Sequence, residues 1–265
     1  MRSWLAAWTL LLVAATACSE PPDLRSSERS VFSQFGEDGV IERLFEIIAP
    51  GPKFVVEFGA GDGVKHSNAR NLILEHGWSA FLIEGDAQKS RAMNATYADL
   101  PRVKALQAWV YPGNIEILFE ENGVPKDLDL LVIDIDSNDY YVWRAIQQFE
   151  PKVVQVEANP AFAPPQQMVV KFDPMNYWDG SDYHGASAQT WYNLARKKGY
   201  ELVYHVSGGN NLFFVRKEYF RRFGIDDNSP AKIYRPVHVI EKRKDAPPFL
   251  PLSARKIPKV LIRDR

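Results

Sequence analysis

The chain is short of cysteine: one in 265 residues, Cys18, near the N-terminus. No disulfide can therefore form within the body of the protein, and cysteine usage says nothing of its compartment. A charge excess is lacking too. Lys and Arg number 32 against 33 Asp and Glu, a net charge of −1, which leaves no global field to draw in nucleic acid. There is no internal repeat and no low-complexity block. The one extended apolar run, residues 4–17, is too short to cross a bilayer comfortably. What remains is ordinary globular composition, 46% apolar and 25% charged. Beyond the N-terminal segment, about 240 residues suffice for one sizeable α/β domain.

Arg2 ahead of the 4–17 run gives the shape of a signal peptide. Ala15, Thr16 and Ala17 before Cys18 are similar to a bacterial lipoprotein cleavage site, at which the cysteine becomes lipidated, although Ala15 stands where leucine is usual. Cleavage after Ala15 or Ala17 by an ordinary signal peptidase is the alternative. The expected organisation is a signal over 1–18, a polar linker over 19–30, the main domain over 31–225 and a basic, Pro-rich extension over 226–265. From residue 228 onward ten Lys or Arg face three acids, interleaved with six prolines, as in a solvated surface tail. Membrane contact is expected only through a lipid anchor at Cys18. This places the protein in the cell envelope, exported or anchored, with a cytoplasmic protein carrying an extended N-terminus as the alternative.

Apolar residues at 40, 41, 44, 45, 47 and 48 have helical spacing, and the Pro-Gly-Pro at 50–52 stops that helix. Short apolar runs predict strands over 53–58, 79–83, 103–110, 128–135, 152–157, 200–206 and 211–215. Helices are predicted over 67–75, 88–97, 114–121, 140–149 and 186–198. Seven strands with interleaved helices form a doubly wound sheet. The Ser-Gly-Gly-Asn at 207–210 is a hairpin signal, so the last strand is expected to run antiparallel.

The stretch KFVVEFGAGDG over 53–63 is the most informative. A buried strand ends at Glu57 in the crevice where open α/β sheets bind ligands, and Gly59, Gly61 and Gly63 let the backbone turn and approach one. An ordinary strand-to-loop turn is the plainer reading. The next strand also ends in an acid, Glu84, about 20 residues past the glycines, where nucleotide-binding units place the carboxylate for ribose hydroxyls. Capping of the helix that follows is its alternative role. The pattern E-x-G-x-G-x-G resembles the S-adenosylmethionine site of Rossmann-like methyltransferases more than a dinucleotide fingerprint.

Five segments carry a narrower resemblance: SQFGEDGVIERL (33–44), VVEFGAGDGVKHSN (55–68), GWSAFLIEGD (77–86), LLVIDIDSNDYY (130–141) and KVVQVEANP (152–160). Together they are similar to the FkbM-type methyltransferases. That resemblance implies a Rossmann-like methyltransferase fold with a seven-stranded, mostly parallel sheet. It implies S-adenosylmethionine as cofactor and O-methyl transfer to a sugar or other small-molecule hydroxyl. By resemblance and position, Gln34, Asp38, Ser67 and Asn68 would contact the methionine part of the cofactor.

A further constellation lies at strands four and five. Asp134 and Asp136 close the fourth, and Glu157 and Asn159 the fifth. Strand residues two apart share a face, so both pairs are expected to reach one crevice. A hard cation, Mg²⁺ or Mn²⁺, held by Asp134, Glu157 and Asn159 would orient and acidify a hydroxyl. Catechol-type O-methyltransferases resemble this arrangement, with Asp134 aligned on their first ligand, but have adjacent Asp-Asn where this chain has Glu157-Ala158-Asn159. Without a cation the crowded acids would raise one another's pKa, which suits a general base, and Asp136 or Ser137 would alternatively cap the next helix. The aromatic loop 177–187 is expected to close over the site with His184 as base or ligand, and 162–165 to shape its rim. Asn210 and Asn211 are assigned to the hairpin.

S-adenosylmethionine is a cytosolic cofactor, so export argues against methyl transfer. The competing function is an exported, non-catalytic carbohydrate- or metal-binding module on the same fold, with the acidic cluster and aromatic loop as its site. A third is an interaction protein docking through its basic tail.

Overall fold

Amphipathic spacing in the sequence becomes α1 (Glu37–Ile48), whose Val40, Ile41, Leu44 and Ile48 are buried. In this computed structural model, which describes residues 22–236 and 248–251, the chain continues through β1 (Phe54–Phe58), α2 (Arg70–Leu74), β2 (Ser79–Glu84), α3 (Ala87–Thr96) and β3 (Val103–Gln107). Then follow α4 (Ile115–Glu121), β4 (Leu130–Ile133), α5 (Asp139–Ala145), β5 (Val153–Glu157), the short β6 (Met168–Val169) and α6 (Ala188–Lys197). The hairpin β7 (Tyr200–His205) and β8 (Asn211–Arg216), a 3₁₀ turn (Lys217–Phe223), α7 (Pro230–Ile233) and β9 (Leu250–Pro251) complete it.

The main sheet has the order β3-β2-β1-β4-β5-β8-β7. Six strands run parallel, and β8, wedged between β5 and β7, runs antiparallel to both. Strand alternation sends Val55, Leu82, Val132 and Phe213 to one face, under α1, α2 and α3. It sends Val56, Phe81, Ile133 and Phe214 to the other, under α4, α5 and α6. Each fully buried Leu, Ile or Phe in these layers contributes about 1.5–3 kcal/mol. Among the described residues no helix is long and apolar enough to cross a membrane.

The elements fall where the hydrophobic periods place them, and the boundary differences have local causes. Helix α2 begins three residues late because Glu57 takes the backbone N–H groups of Asn68 and Ala69. Strand β4 stops short because Asp139 accepts from Ile135 N and Ser137 N, folding the chain into a turn. Helix α5 ends four residues early, where Glu116 accepts from Gln147 N and Gln148 N.

The polar stretch 22–30, expected to be a linker, is packed on the domain. Leu24 is buried, and Glu28 accepts from Tyr204 OH at 2.7 Å and Ser207 N at 2.6 Å. In the basic extension, β9 pairs with β6, and Phe249 meets the rings of Phe162 and Tyr183 at 4.5 and 4.9 Å. The signal-like segment with Cys18 and most of the extension lie outside the described residues.

Candidate functional site

Strands β1, β4 and β5 end in one cleft of about 790 Å³. On its first lip stands the glycine turn. Gly59 has φ 66°, and a side chain there would put Cβ 1.8 Å from the Asp134 carbonyl oxygen. Gly61 has φ 59° but meets nothing within 4 Å, so its missing side chain leaves open space in the cleft. Glu84 accepts from Gly61 N at 2.8 Å and Asp86 N at 2.7 Å. The cap of α3 is Asp86, accepting from Gln88 N and Lys89 N, while Glu84 lines a smaller cavity that adjoins the cleft at Gly59, Lys89 and Asp134.

Glu57 lines the floor. Its carboxylate accepts from Ser67 Oγ at 2.8 Å, Asn68 N at 2.7 Å and Ala69 N at 3.3 Å. Burial pushes its pKa up, against the pull of those donors. The grip turns Asn68 into the cleft, where Oδ1 is buried without a hydrogen-bond partner. Phe35, from the QFGED segment, forms the wall beside it. Its ring lies so close on Gly209 that a Cβ there would be 2.2 Å away. That approach, rather than a left-handed turn, is what requires glycine in this hairpin.

The opposite lip is acidic. Asp134 lines the cleft and, among the described residues, its carboxylate makes no hydrogen bond. Burial first, then the neighbouring Glu157 and Asp136 carboxylates, push it well above the ordinary carboxylate range. Asp136 is raised to about 7 by the same causes, burial and then Glu157. Both acids face the cleft, though not by strand alternation: they lie past the end of β4, and Asp136 has φ 56°. Asp139 locks that turn, and burial raises its pKa.

Glu157 ends β5 opposite Asn211 and accepts from Asn210 Nδ2 at 2.6 Å. His184 is only 2% exposed, and its Nδ1 stands 3.4 Å from Glu157 Oε2, outside hydrogen-bond alignment. Burial disfavours the imidazolium, but the Glu157 carboxylate and then Asp136 outweigh it and raise the His184 pKa. Burial likewise opposes the Glu157 carboxylate, yet His184 and Asn210 hold its pKa below the usual value.

Three expected site residues stand behind the cleft instead of in it. Asp38 accepts from the backbone N–H groups of Val31, Phe32 and Ser33, fixing the segment that presents Phe35. Gly63 meets Tyr97, whose hydroxyl donates to the Gly63 carbonyl at 2.6 Å. Asn159, expected as a metal ligand, is not among the residues that line the cleft. Its Nδ2 donates to the carbonyls of Asp182 and His184, both at 2.7 Å, and its Oδ1 accepts from Ala161 N. The amide is committed at both ends to the loop that carries His184.

Several residues at the site carry no sequence signal of their own. Asn210, assigned to the hairpin, holds Glu157. Trp178 flanks His184 with ring centroids 6.4 Å apart. Trp109 lies on the Gly85 backbone, 2.7 Å from where a Cβ would stand, and is 62% exposed. It walls a smaller cavity of about 190 Å³ beside Glu84, with Tyr111, Tyr177 and Trp178. Trp178 lies in the aromatic 177–187 loop expected at the site, whereas Trp109 and Asn210 lie outside it.

No protein-family model and no curated protein matches the chain. Solved structures do. The methyltransferase domain of bacterial CtHen1-C shares 15% identity over 68% of this chain and 96% of its own, with a TM-score of 0.45. The magnesium protoporphyrin IX methyltransferase ChlM from Synechocystis PCC 6803, solved with bound SAM, shares 10% over 68% and 77%, with a TM-score of 0.43. The CMeT domain of the citrinin polyketide synthase shares 13% over 68% of this chain, with a TM-score of 0.43, and the chain spans 51% of that domain's length. The seven-stranded sheet with β8 antiparallel is this chain's own topology.

Proposed function

We propose that the protein is an S-adenosylmethionine-dependent O-methyltransferase acting on a sugar or other small-molecule hydroxyl. The observation that carries this is the pairing of two lips across one cleft: a glycine turn tied to Glu84 on one side, the unpartnered Asp134 carboxylate on the other. Glu84 would hold the ribose hydroxyls, and Trp109 offers a flat wall for the base. The buried, unpartnered Asn68 Oδ1 fits the cofactor's amino group, and the open space at Gly61 admits its backbone-facing edge. When bound, S-adenosylmethionine supplies a methyl group on a sulfonium, which the acceptor oxygen takes as the S–CH₃ bond's electron pair stays on sulfur.

The chain's own contribution is placement and proton acceptance. Asp134 stands between the glycine turn and the acidic pocket, where it receives the acceptor's hydroxyl proton. His184 and Asp136 would border the acceptor, with Trp178 lining the same cleft beside His184. Calorimetric titration with S-adenosylhomocysteine checks the reading: micromolar affinity lost in Glu84→Ala supports it, and no binding at millimolar ligand sinks it.

A second reading, carbohydrate binding without transfer, is favoured by the exposed rings of Trp109, Tyr111 and Tyr177 around one small cavity. It fits a protein exported by its N-terminal segment to the cell envelope. Quenching of tryptophan fluorescence by sugars, with no response to S-adenosylhomocysteine, would favour it.

A further inference from the structure

The metal site expected from the sequence, Asp134, Glu157 and Asn159, fails on Asn159, whose amide is committed to the 182–184 loop. The fold gathers a different donor set beside it. Asp136, Glu157 and His184 each offer one ligand atom, and these atoms lie within 4.8 Å of one another. They come from three separate elements: the turn after β4, the end of β5 and the loop before α6.

Two features of the cluster look unfinished without a cation. His184 is 98% buried by its 2% exposure, yet neither ring nitrogen makes an aligned hydrogen bond. Nδ1 pairs with Glu157 Oε2 at 3.4 Å without hydrogen-bond alignment, and Nε2 has no hydrogen-bond partner. Buried imidazoles are ordinarily hydrogen-bonded, so one that makes no aligned hydrogen bond beside two carboxylates needs a reason. Charge gives the second. The carboxylates of Asp134, Asp136 and Glu157 line one cleft together with His184.

We propose that Asp136, Glu157 and His184 form a binding site for a divalent transition ion, Zn²⁺ or Mn²⁺, with its open positions facing the cleft. Metal–donor bonds of about 2.0–2.2 Å set tetrahedral donors roughly 3.4 Å apart, so the ion would draw the three atoms inward from their present span. The donor set decides the class of metal. Two carboxylates with one imidazole suit Zn²⁺ and Mn²⁺, whereas Mg²⁺ and Ca²⁺ prefer oxygen alone. Three protein ligands leave room for water or an acceptor oxygen, the pattern of a catalytic rather than a structural site. Asn210 and Asn159 are then the positioning residues: Asn210 orients Glu157 from outside, and Asn159 holds the backbone of the His184 loop.

The ion would acidify an acceptor hydroxyl beside Asp134. That use rests on the methyl-transfer reading, while the binding of the ion does not. The two are separable by titration. The full chain, stripped with a chelator, is titrated with ZnCl₂, MnCl₂ and MgCl₂ in the absence of any nucleoside. The expected result is one Zn²⁺ or Mn²⁺ per chain, with Mg²⁺ at least tenfold weaker. His184→Gln should weaken Zn²⁺ on the order of 100-fold or more, beyond the 10–100-fold effect of losing an outer-shell partner. Co²⁺ substitution adds a readout that folding alone does not move, a visible d–d spectrum that changes in His184→Gln. Equal affinity for Mg²⁺ overturns the proposal, as does no binding or a folded His184→Gln that binds unchanged. If that variant fails to fold, Asp136→Asn, on the exposed side of the cluster, takes its place with the same expectation. Metal binding without S-adenosylhomocysteine binding would keep the site and remove the transferase.

Discussion

Glu84 and Gly61 are tied across the mouth of the sheet, the carboxylate of one accepting the backbone N–H of the other at 2.8 Å. The same carboxylate takes Asp86 N at 2.7 Å, so it braces both the glycine turn and the start of α3. Hydrogen bonds to a charged group are worth about 1.5–3 kcal/mol each. Glu84→Ala should therefore loosen the turn and reduce affinity for S-adenosylhomocysteine on the order of 10- to 100-fold. Glu84→Gln, which keeps one acceptor, should fall between. Calorimetry on the three proteins ranks them, and an unchanged affinity in Glu84→Ala would remove the acid from the site.

The glycines divide the demands of folding from those of binding. A methyl at Gly59 meets the Asp134 carbonyl, and φ is positive there, so Gly59→Ala should destabilise by more than about 3 kcal/mol. At Gly61 nothing stands in the way, and only the left-handed backbone costs about 1–2 kcal/mol. Gly61→Val, β-branched at a positive φ, should melt several degrees below wild type yet stay folded, while losing the nucleoside ligand. Thermal melts paired with ligand titration separate the two, and a Gly61→Val protein that binds normally would show that the ligand does not approach this turn.

Much of this was legible beforehand. The strands, their parallel order and the reversed β8 follow from apolar runs and from one Gly-Gly hairpin signal, because buried parallel strands leave little else to read. Glu57, Gly59, Gly61, Asn68, Asp134, Asp136, Glu157 and His184 all line the cleft. What sequence did not reveal is which polar side chain faces outward into the cleft and which faces back. Asp38 and Asn159 are as polar as their neighbours, and only their three hydrogen bonds each show that they hold loops. Asn210 hid in a turn where asparagine is expected for conformational reasons. The packing of 22–30 was invisible because it rests on one leucine, on Glu28 reaching the distant β7–β8 hairpin and on Arg29 binding Glu42 and the backbone of Gly36 and Gly39.

Asn159 is fully buried and donates to two carbonyls. Asn159→Ala strands both of them, and should destabilise by about 2–3 kcal/mol. The midpoint of urea unfolding reports that loss. A variant that keeps the wild-type midpoint would mean that the 182–184 loop is held by other contacts.

His205 sets an acid limit on stability. It is fully buried, accepts Arg235 N at Nδ1 and stacks on Tyr234, and burial followed by the Arg235 charge lowers its pKa from 6.5 to about 4. Between those values the unfolded chain binds the proton and the folded one does not, so stability falls as pH drops from 6.5 towards 4. The loss approaches about 3 kcal/mol at the low end. His205→Gln keeps an acceptor but does not titrate. The gap between wild type and variant should narrow as pH falls, and a gap constant with pH would show that the histidine is not held neutral.

The insertion of β8 between β5 and β7 has a consequence for the order of assembly. Until residues 211–216 arrive, one edge of β5 has no strand beside it, and β7 has nothing to pair with at all. Such an edge is a template for wrong pairing, and closing it depends on contacts distant in sequence, which form slowly. Glu157 sits on that edge, opposite Asn211 and held by Asn210. The pocket therefore takes shape only as the sheet closes. A partly folded chain would carry the glycine turn and the Asp134 turn but leave Glu157 unheld, so the acidic lip would be completed last.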